Sequence, residues 1–216
     1  MRDTDQTADV RSGSPDWERI GLWLVAATLL YNIGEGVIAL WFGTEAESIA
    51  LVGFGLDSFI ETAAASLLLW RLWLETSGAD RERVERTEHR VHRLVGATFL
   101  ALAAYVSGQS IWTLWSRQPY SETLVGIVLA AVSLIVMPLV SVAKLRAAQE
   151  IGSAALRAEA KETLACSYLS FTLLLGLGAN AALQWWWADP VAALLMVPWL
   201  VKEGQEGLSG AEECCE

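Results

Sequence analysis

The chain has 216 residues, of which 54% are hydrophobic and only 19% are charged, and its formal net charge is -10. A soluble domain carries about 25% charged residues, and a nucleic-acid-binding protein needs a basic face for the phosphate backbone. The composition therefore excludes a nucleic-acid binder, a disordered chain and an ordinary cytosolic enzyme, and it predicts a polytopic membrane protein.

Residues 1–19 form a polar segment of mixed charge, which we expect to lie in the cytoplasm. This segment lacks the basic-then-apolar pattern of a cleavable signal peptide, so the first apolar stretch is expected to remain in the protein. A helix needs about 20 apolar residues to cross the hydrocarbon core. We therefore predict an all-α integral membrane protein whose domain at residues 20–203 is a bundle of six transmembrane helices. The six apolar stretches cover residues 20–42, 48–74, 94–115, 122–143, 161–184 and 188–201.

The first stretch contains Asn32 and Glu35, which are three residues apart and therefore share a helix face. An ionisable group inside a spanning helix costs about 2.5–3.5 kcal/mol on insertion scales, so it marks a functional candidate. Glu35 is expected to act as an outer ligand, as a proton carrier or as the partner of a polar group on another helix. The small residues around it also permit close helix packing, and the sequence leaves these alternatives open.

The second stretch contains Asp57 and Glu61 at a spacing of four residues. On a helix these side chains point the same way, since they differ by about 40° around the axis and about 6 Å along it. Two carboxylates so close do not normally both ionise in a dry site, whereas a bound divalent cation removes that conflict. The alternative is that one carboxyl is protonated and that both bond to neighbouring helices.

The connection between the second and third stretches carries His89 and His92 among many charged residues. On a helix, the two histidines would face together and would offer a second metal site. The alternative is a charged amphipathic helix that lies at the membrane surface.

The fifth stretch repeats the four-residue spacing with Glu162 and Cys166. A carboxylate and a thiolate together suit zinc, cadmium or another borderline-to-soft metal. Asp57, Glu61, Glu162 and Cys166 therefore predict a tetrahedral metal site between two facing helices. Taken alone, Glu162 would be an interfacial residue beside Lys161, and Cys166 would be a small buried apolar residue.

The sixth stretch begins after three tryptophans at 185–187, which are typical of the membrane–water interface. Asp189 is predicted to cap the N-terminus of the sixth helix, because a proline follows it at the first turn. Residues 204–216 are predicted to be a short acidic cytoplasmic tail. Its Cys214 and Cys215 would either catch soft metal ions or belong to a flexible solvated end.

Positive charge predicts the orientation of the bundle, because short cytoplasmic loops are enriched in basic residues. Basic residues precede the first stretch, fill the second-to-third connection and follow the sixth stretch, and Lys144 begins another group in the fourth-to-fifth connection. Only Arg117, among 15 basic residues, lies on the other side. Both termini are therefore predicted to be cytoplasmic, which an even number of spans also requires.

The order of these motifs resembles the membrane domain of the cation diffusion facilitators, the cation efflux family. The sequence SIAL at 48–51, followed by Asp57, Ser58 and Glu61, is similar to the second helix of that family. LRAEA at 156–160 is similar to its approach to the fifth helix, and WADPVAA at 187–193 to the start of its sixth helix. The resemblance covers about residues 20–203.

This resemblance implies a transporter of six helices that works as a homodimer and exchanges a cytoplasmic divalent cation for protons. It also implies that the four-ligand site of the family lies on Asp57, Glu61, Glu162 and Cys166. Glu162 and Cys166 replace the histidine and aspartate that are usual there, and this affects the choice of metal. We further expect a short form without the cytoplasmic ferredoxin-like domain, in which the dimer forms through membrane helices.

We therefore expect a multi-pass protein of the bacterial inner membrane, in contact with lipid, that exports a divalent metal such as zinc in exchange for protons. The metal is expected to be cargo, and no catalytic cofactor is expected. One alternative is a membrane metal sensor or partner subunit that gives no flux. Another is a thiol-dependent membrane redox enzyme that uses Cys166 or the Cys214–Cys215 pair.

Overall fold

The computed structural model describes residues 16–76, 81–117 and 123–209. In these ranges the chain forms six helices and no strand, so the predicted all-α fold is confirmed. The helices are α1 (Trp17–Ala46), α2 (Ile49–Thr76), α3 (Arg81–Ser116), α4 (Leu124–Ile151), α5 (Ala154–Leu183) and α6 (Ala188–Ser209).

Five helices, α1 to α5, are long and apolar enough to cross a bilayer. Within the described residues α6 falls short of that criterion, since its apolar part is brief and its second half carries Lys202, Glu203 and Glu206. It is nevertheless an integral member of the bundle, because it packs along α3 and α5. The predicted six-helix membrane architecture is therefore confirmed.

The bundle is built from helices that pack in pairs. The hairpins α1–α2 and α4–α5 pack closely, and α3 packs chiefly on α6. Glu47 ends α1 with a φ of 57°, and Gly152 ends α4 with a φ of 70°, a left-handed conformation that glycine adopts without strain. Ser153 then caps α5, because its Oγ accepts a hydrogen bond of 3.2 Å from the backbone N–H of Leu156.

The sequence predicted that Asp189 caps the N-terminus of α6, and this prediction is wrong. Asp189 lies inside the first turn of that helix and bonds elsewhere. Its carboxylate accepts hydrogen bonds from the Oγ of Ser48 and, at 2.9 Å, from the backbone N–H of Ile49. These groups form the N-terminus of α2, whose first N–H groups have no partner within the helix. Asp189 therefore joins α6 to α2 at one end of the bundle.

The apolar side chains divide between a core and an outer surface. Leu51 and Phe54 of α2 pack in the centre with Val106 of α3 and Leu173 of α5, all of them fully buried. Large apolar residues also face outward along the helices, which is the surface that a bilayer requires. Among the most exposed are Trp23, Leu30, Trp41, Trp115 and Leu124.

The charged segment before the third apolar stretch is the first part of α3 itself, which runs from Arg81 without a break. It is therefore helical, as one alternative predicted, but it is continuous with the spanning helix rather than separate from it. The side chains of His89 and His92 lie outside the described part of the structure, and so do residues 1–15 and 210–216. The second metal site, the role of Cys214 and Cys215 and the cytoplasmic location of both termini stay predictions.

Candidate metal site

Three of the four predicted ligands line one cavity inside the bundle. Asp57 and Glu61 reach it from α2, and Glu162 reaches it from α5. The cavity measures about 10 Å³, close to the volume that one water molecule needs, so it is of the size for a single small ion. Its other wall residues are Ala64, Phe99, Ala165, Trp199 and Glu203.

Asp57 is the most deeply placed of these acids. Its side chain is only 2% exposed, and its Oδ2 atom has no hydrogen-bond partner among the described residues. A buried carboxylate without a compensating partner is costly, whereas buried charges elsewhere are paired or coordinate a metal. The orphaned oxygen of this cavity-lining residue is therefore a feature that a bound cation would explain.

Cys166 stands beside the cavity rather than on its wall. The residue is fully buried, and its thiol lies next to the carboxylate of Glu61. The preceding residue, Ala165, takes the place on the wall that the sequence assigned to the thiol. The structure thus brings Asp57, Glu61 and Glu162 to one space and places Cys166 beside Glu61, off the cavity wall.

The predicted ligands are neighbours but are not arranged around a common point. Across the described ranges, no three side chains of His, Cys, Asp or Glu approach closely enough to hold a metal ion together. Zinc donors lie about 2.0–2.3 Å from the ion. A cation that binds here would therefore require the side chains to turn toward it.

Asn32 and Glu35 both join α1 to the helices around the cavity. Asn32 donates a hydrogen bond of 3.1 Å to the Oε2 of Glu61. Glu35 is 2% exposed and accepts hydrogen bonds from Ser58 of α2, at 3.3 Å, and from Ser133 of α4. Of the alternatives for Glu35, the geometry shows the partnership with polar groups on other helices. Through Asn32, α1 also orients one predicted ligand.

The sequence analysis placed Lys144 in the connection between the fourth and fifth stretches. In the structure it belongs to α4, which continues past it to Ile151. The side chain is completely buried, and its Nζ lies 2.7 Å from Glu159 Oε1 and 2.9 Å from Thr163 Oγ1. Thr163 follows Glu162 directly, so this ion pair anchors the turn of α5 that carries a predicted ligand. The spacing of Glu159 and Thr163, four residues apart on one face of α5, was the signal for a buried partner.

Glu203 is the cavity residue that sequence reasoning missed. The predicted sixth stretch ended at residue 201, whereas α6 runs on to Ser209 and brings Glu203 to the wall beside Asp57, Glu61 and Glu162. Trp199 lines the same wall one turn earlier, so the two residues share a face of α6. The four-residue spacing of Trp199 and Glu203 was visible in the sequence, but the sequence did not show which helices this face of α6 packs against.

Two comparisons with known proteins agree with this architecture. The cation efflux transmembrane domain matches residues 24–206, which include all or most of each helix and every acid on the cavity wall. An uncharacterized transporter of Synechocystis sp. is 26% identical over 150 residues, which make up 68% of this chain and 48% of that protein. The chain thus spans about half the length of this relative, whose bacterial source fits the predicted inner-membrane location. The chain is a multi-pass integral membrane protein and belongs to the cation efflux family.

Proposed function

We propose that this protein is a secondary transporter that exports a divalent metal cation, preferably Zn²⁺, in exchange for protons. The observation that carries the proposal is the buried oxygen of Asp57 that has no partner, in a residue that lines an ion-sized cavity together with Glu61 and Glu162. Such a group of carboxylates inside a spanning domain is expensive unless it serves an ion or a proton. Membership of the cation efflux family and the transporter relative support the same function.

Proton exchange follows from the chemistry of the donors. Carboxylates and thiols must lose their protons before they bind a metal, so metal binding releases protons and proton binding opposes the metal. A cation bound on one side of the membrane would leave when protons reoccupy the carboxylates on the other. The chain holds and orients the donor groups, protons from the solution reoccupy them, and the cation is the cargo.

The preference for zinc rests on Cys166. Thiolate is a soft donor, which favours zinc or cadmium over manganese, and three carboxylates alone would favour harder ions. The thiol lies beside the carboxylate of Glu61 and is not among the groups that line the cavity, so side chains have to turn before Cys166 can reach an ion there. Selectivity for zinc therefore depends on a rearrangement around Cys166.

The direct test is metal flux into liposomes that contain the purified protein. We expect uptake of Zn²⁺ that protein-free liposomes lack, and we expect the rate to increase when the interior of the vesicles is more acidic. A panel of Zn²⁺, Cd²⁺, Mn²⁺ and Co²⁺ measures the selectivity. Zinc binding to the solubilised protein without any flux would instead identify a sensor or partner subunit. The geometry does not favour a thiol-dependent enzyme that uses Cys166, because this residue is fully buried, whereas Cys214 and Cys215 lie outside the described residues.

A further inference from the structure

We propose that Glu203 of α6 is a further binding residue for the transported cation, and that it receives the ion at the mouth of the cavity before the ion reaches Asp57. This inference rests on the proposed function and extends it, because it adds a third helix to the predicted two-helix site.

Glu203 occupies the right place for this role. It lines the same cavity as Asp57, Glu61 and Glu162, and it approaches from α6, whereas the other acids belong to α2 and α5. Its side chain is partly exposed, while Asp57 is 2% exposed. Glu61 and Glu162 are partly exposed as well, so Asp57 is the one acid of this cavity wall that is closed off from the outside.

Among the described residues, Glu203 also has no partner that competes directly for its carboxylate. The neighbouring Lys202 points to Glu206, with its Nζ 3.5 Å from Oε1, and lies 4.8 Å from the centre of the Trp199 ring. Glu203 forms no hydrogen bond or ion pair with the residues that the structure describes. A carboxylate of this kind is free to bind an incoming cation.

The orphaned oxygen of Asp57 is the second and independent sign of a ligand. It is buried and has no hydrogen-bond partner in the described ranges, and the residue that carries it lines the same cavity. An ion that reaches this oxygen from the partly exposed side passes a cavity wall to which Glu203 contributes. The two carboxylates thus mark the start and the end of one short route.

The backbone next to Glu203 is held firmly. A Cβ atom added to Gly204 would lie 2.7 Å from Leu100 Cδ2, so α6 presses closely on α3 at this turn. Glu203 therefore has a fixed backbone position, and only its side chain must move to pass an ion inward. This arrangement suits transient binding at a mouth.

The test compares Glu203→Gln with Glu206→Gln in the full chain reconstituted in liposomes. Both variants remove one negative charge from the same end of α6, but Glu206 is exposed and does not line the cavity. For Glu203→Gln we expect the KM for Zn²⁺ to rise about tenfold, as the loss of one close unit charge predicts, with a maximal rate within about twofold of the wild-type value. Glu206→Gln should keep the wild-type KM, and Glu203→Asp, which retains the charge, should recover most of the loss.

Equal KM values for Glu203→Gln and the wild type would overturn the inference, and so would an equal rise in both glutamine variants. If Glu203→Gln fails to fold, Glu203→Ala takes its place: a raised KM in Glu203→Ala together with a wild-type KM in Glu206→Gln supports the role, and a wild-type KM in Glu203→Ala contradicts it. Zinc titration of the solubilised protein separates the two proposals. If the wild type binds zinc but gives no flux, the transport proposal fails, and the tenfold weaker binding expected for Glu203→Gln still decides the role of Glu203.

Discussion

The charged residues inside this bundle differ in whether a partner neutralises them. Lys144 is completely buried on α4, and its ammonium group is satisfied by Glu159 and Thr163 on α5. In contrast, Asp57 keeps one oxygen without a partner, and Glu203 has no ion pair in the described part of the chain. Glu159 also keeps its Oε2 atom without a partner, but its other oxygen pairs with Lys144 and the residue is not on the cavity wall, whereas Asp57 and Glu203 are. An acid with an ion pair is therefore structural, and an acid without one on the cavity wall is a candidate ligand.

The Lys144–Glu159 pair allows a stability test. Breaking a buried ion pair by removing one partner leaves an uncompensated charge and costs about 3–5 kcal/mol, whereas replacing both partners by apolar residues is often neutral. Lys144→Met should therefore lower the free energy of unfolding by that amount, and Lys144→Met with Glu159→Met should recover most of it. Unfolding in mixed detergent micelles measures both. A single variant as stable as the wild type would contradict the pairing.

Asp57 and Glu162 are expected to be indispensable for transport. Asp57→Ala or Glu162→Ala removes a cavity carboxylate from α2 or α5, and each should reduce zinc flux in liposomes to the level of protein-free vesicles. Glu150→Gln is the matched control, because Glu150 is an exposed acid near the end of α4. Normal flux in either alanine variant, at equal protein content, would remove that residue from the site.

Cys166→Ser tests the choice of metal. The hydroxyl has nearly the shape of the thiol but is a harder donor, so zinc and cadmium flux should fall more than manganese and cobalt flux. The measurement is the ratio of initial rates for the four ions in the variant and in the wild type. An unchanged ratio would mean that Cys166 is a packing residue and that the site has carboxylate donors only.

At the scale of elements, low charge density predicted every helix, but not where the helices end. Residues 81–93, 144–151 and 202–209 are charged or polar, so hydropathy stopped at their borders, whereas the backbone hydrogen bonds of α3, α4 and α6 continue through them. Lys144 and Glu203 were misjudged for this reason, because each lies in a helical extension. Asp189 was misassigned because its partners, Ser48 and Ile49, are about 140 residues away in the chain.

The contact between α3 and α6 depends on glycine. A Cβ atom added to Gly96 would lie 2.8 Å from the carbonyl oxygen of Gly204 and 2.8 Å from the backbone N of Leu208, and backbone atoms cannot turn away. Gly96→Ala should therefore separate the helices and lower the unfolding temperature. Gly108→Ala on the same helix has open space around it and should be neutral or stabilising by up to about 1 kcal/mol, because alanine favours helix. Equal unfolding temperatures for the two variants would contradict the close packing.

At the scale of the whole molecule, the sequence predicted the two pairs of ligand-type residues better than the site that they help to form. A spacing of four residues fixes which side chains share a helix face, so Asp57 with Glu61, and Glu162 with Cys166, could be found locally. Which helices meet around a cavity depends on tertiary packing, so neither the contribution of α6 nor the position of Cys166 off the cavity wall was visible. The homodimer through membrane helices is likewise a property of the assembled surface and stays a prediction.

Coupling of zinc transport to protons is an expectation for the whole molecule. The cavity brings three predicted carboxylate ligands together, and a divalent cation can bind them only as their protons leave. Zinc added to the solubilised protein in a weakly buffered solution should therefore acidify it, and the apparent affinity for zinc should fall as the pH is lowered. Asp57→Ala should abolish the proton release, whereas the exposed-acid control Glu150→Gln should leave it unchanged. In liposomes, an inward-acidic gradient should accelerate zinc uptake and uptake should consume the gradient. Zinc flux without proton release in either experiment would contradict proton exchange and would indicate uncoupled transport.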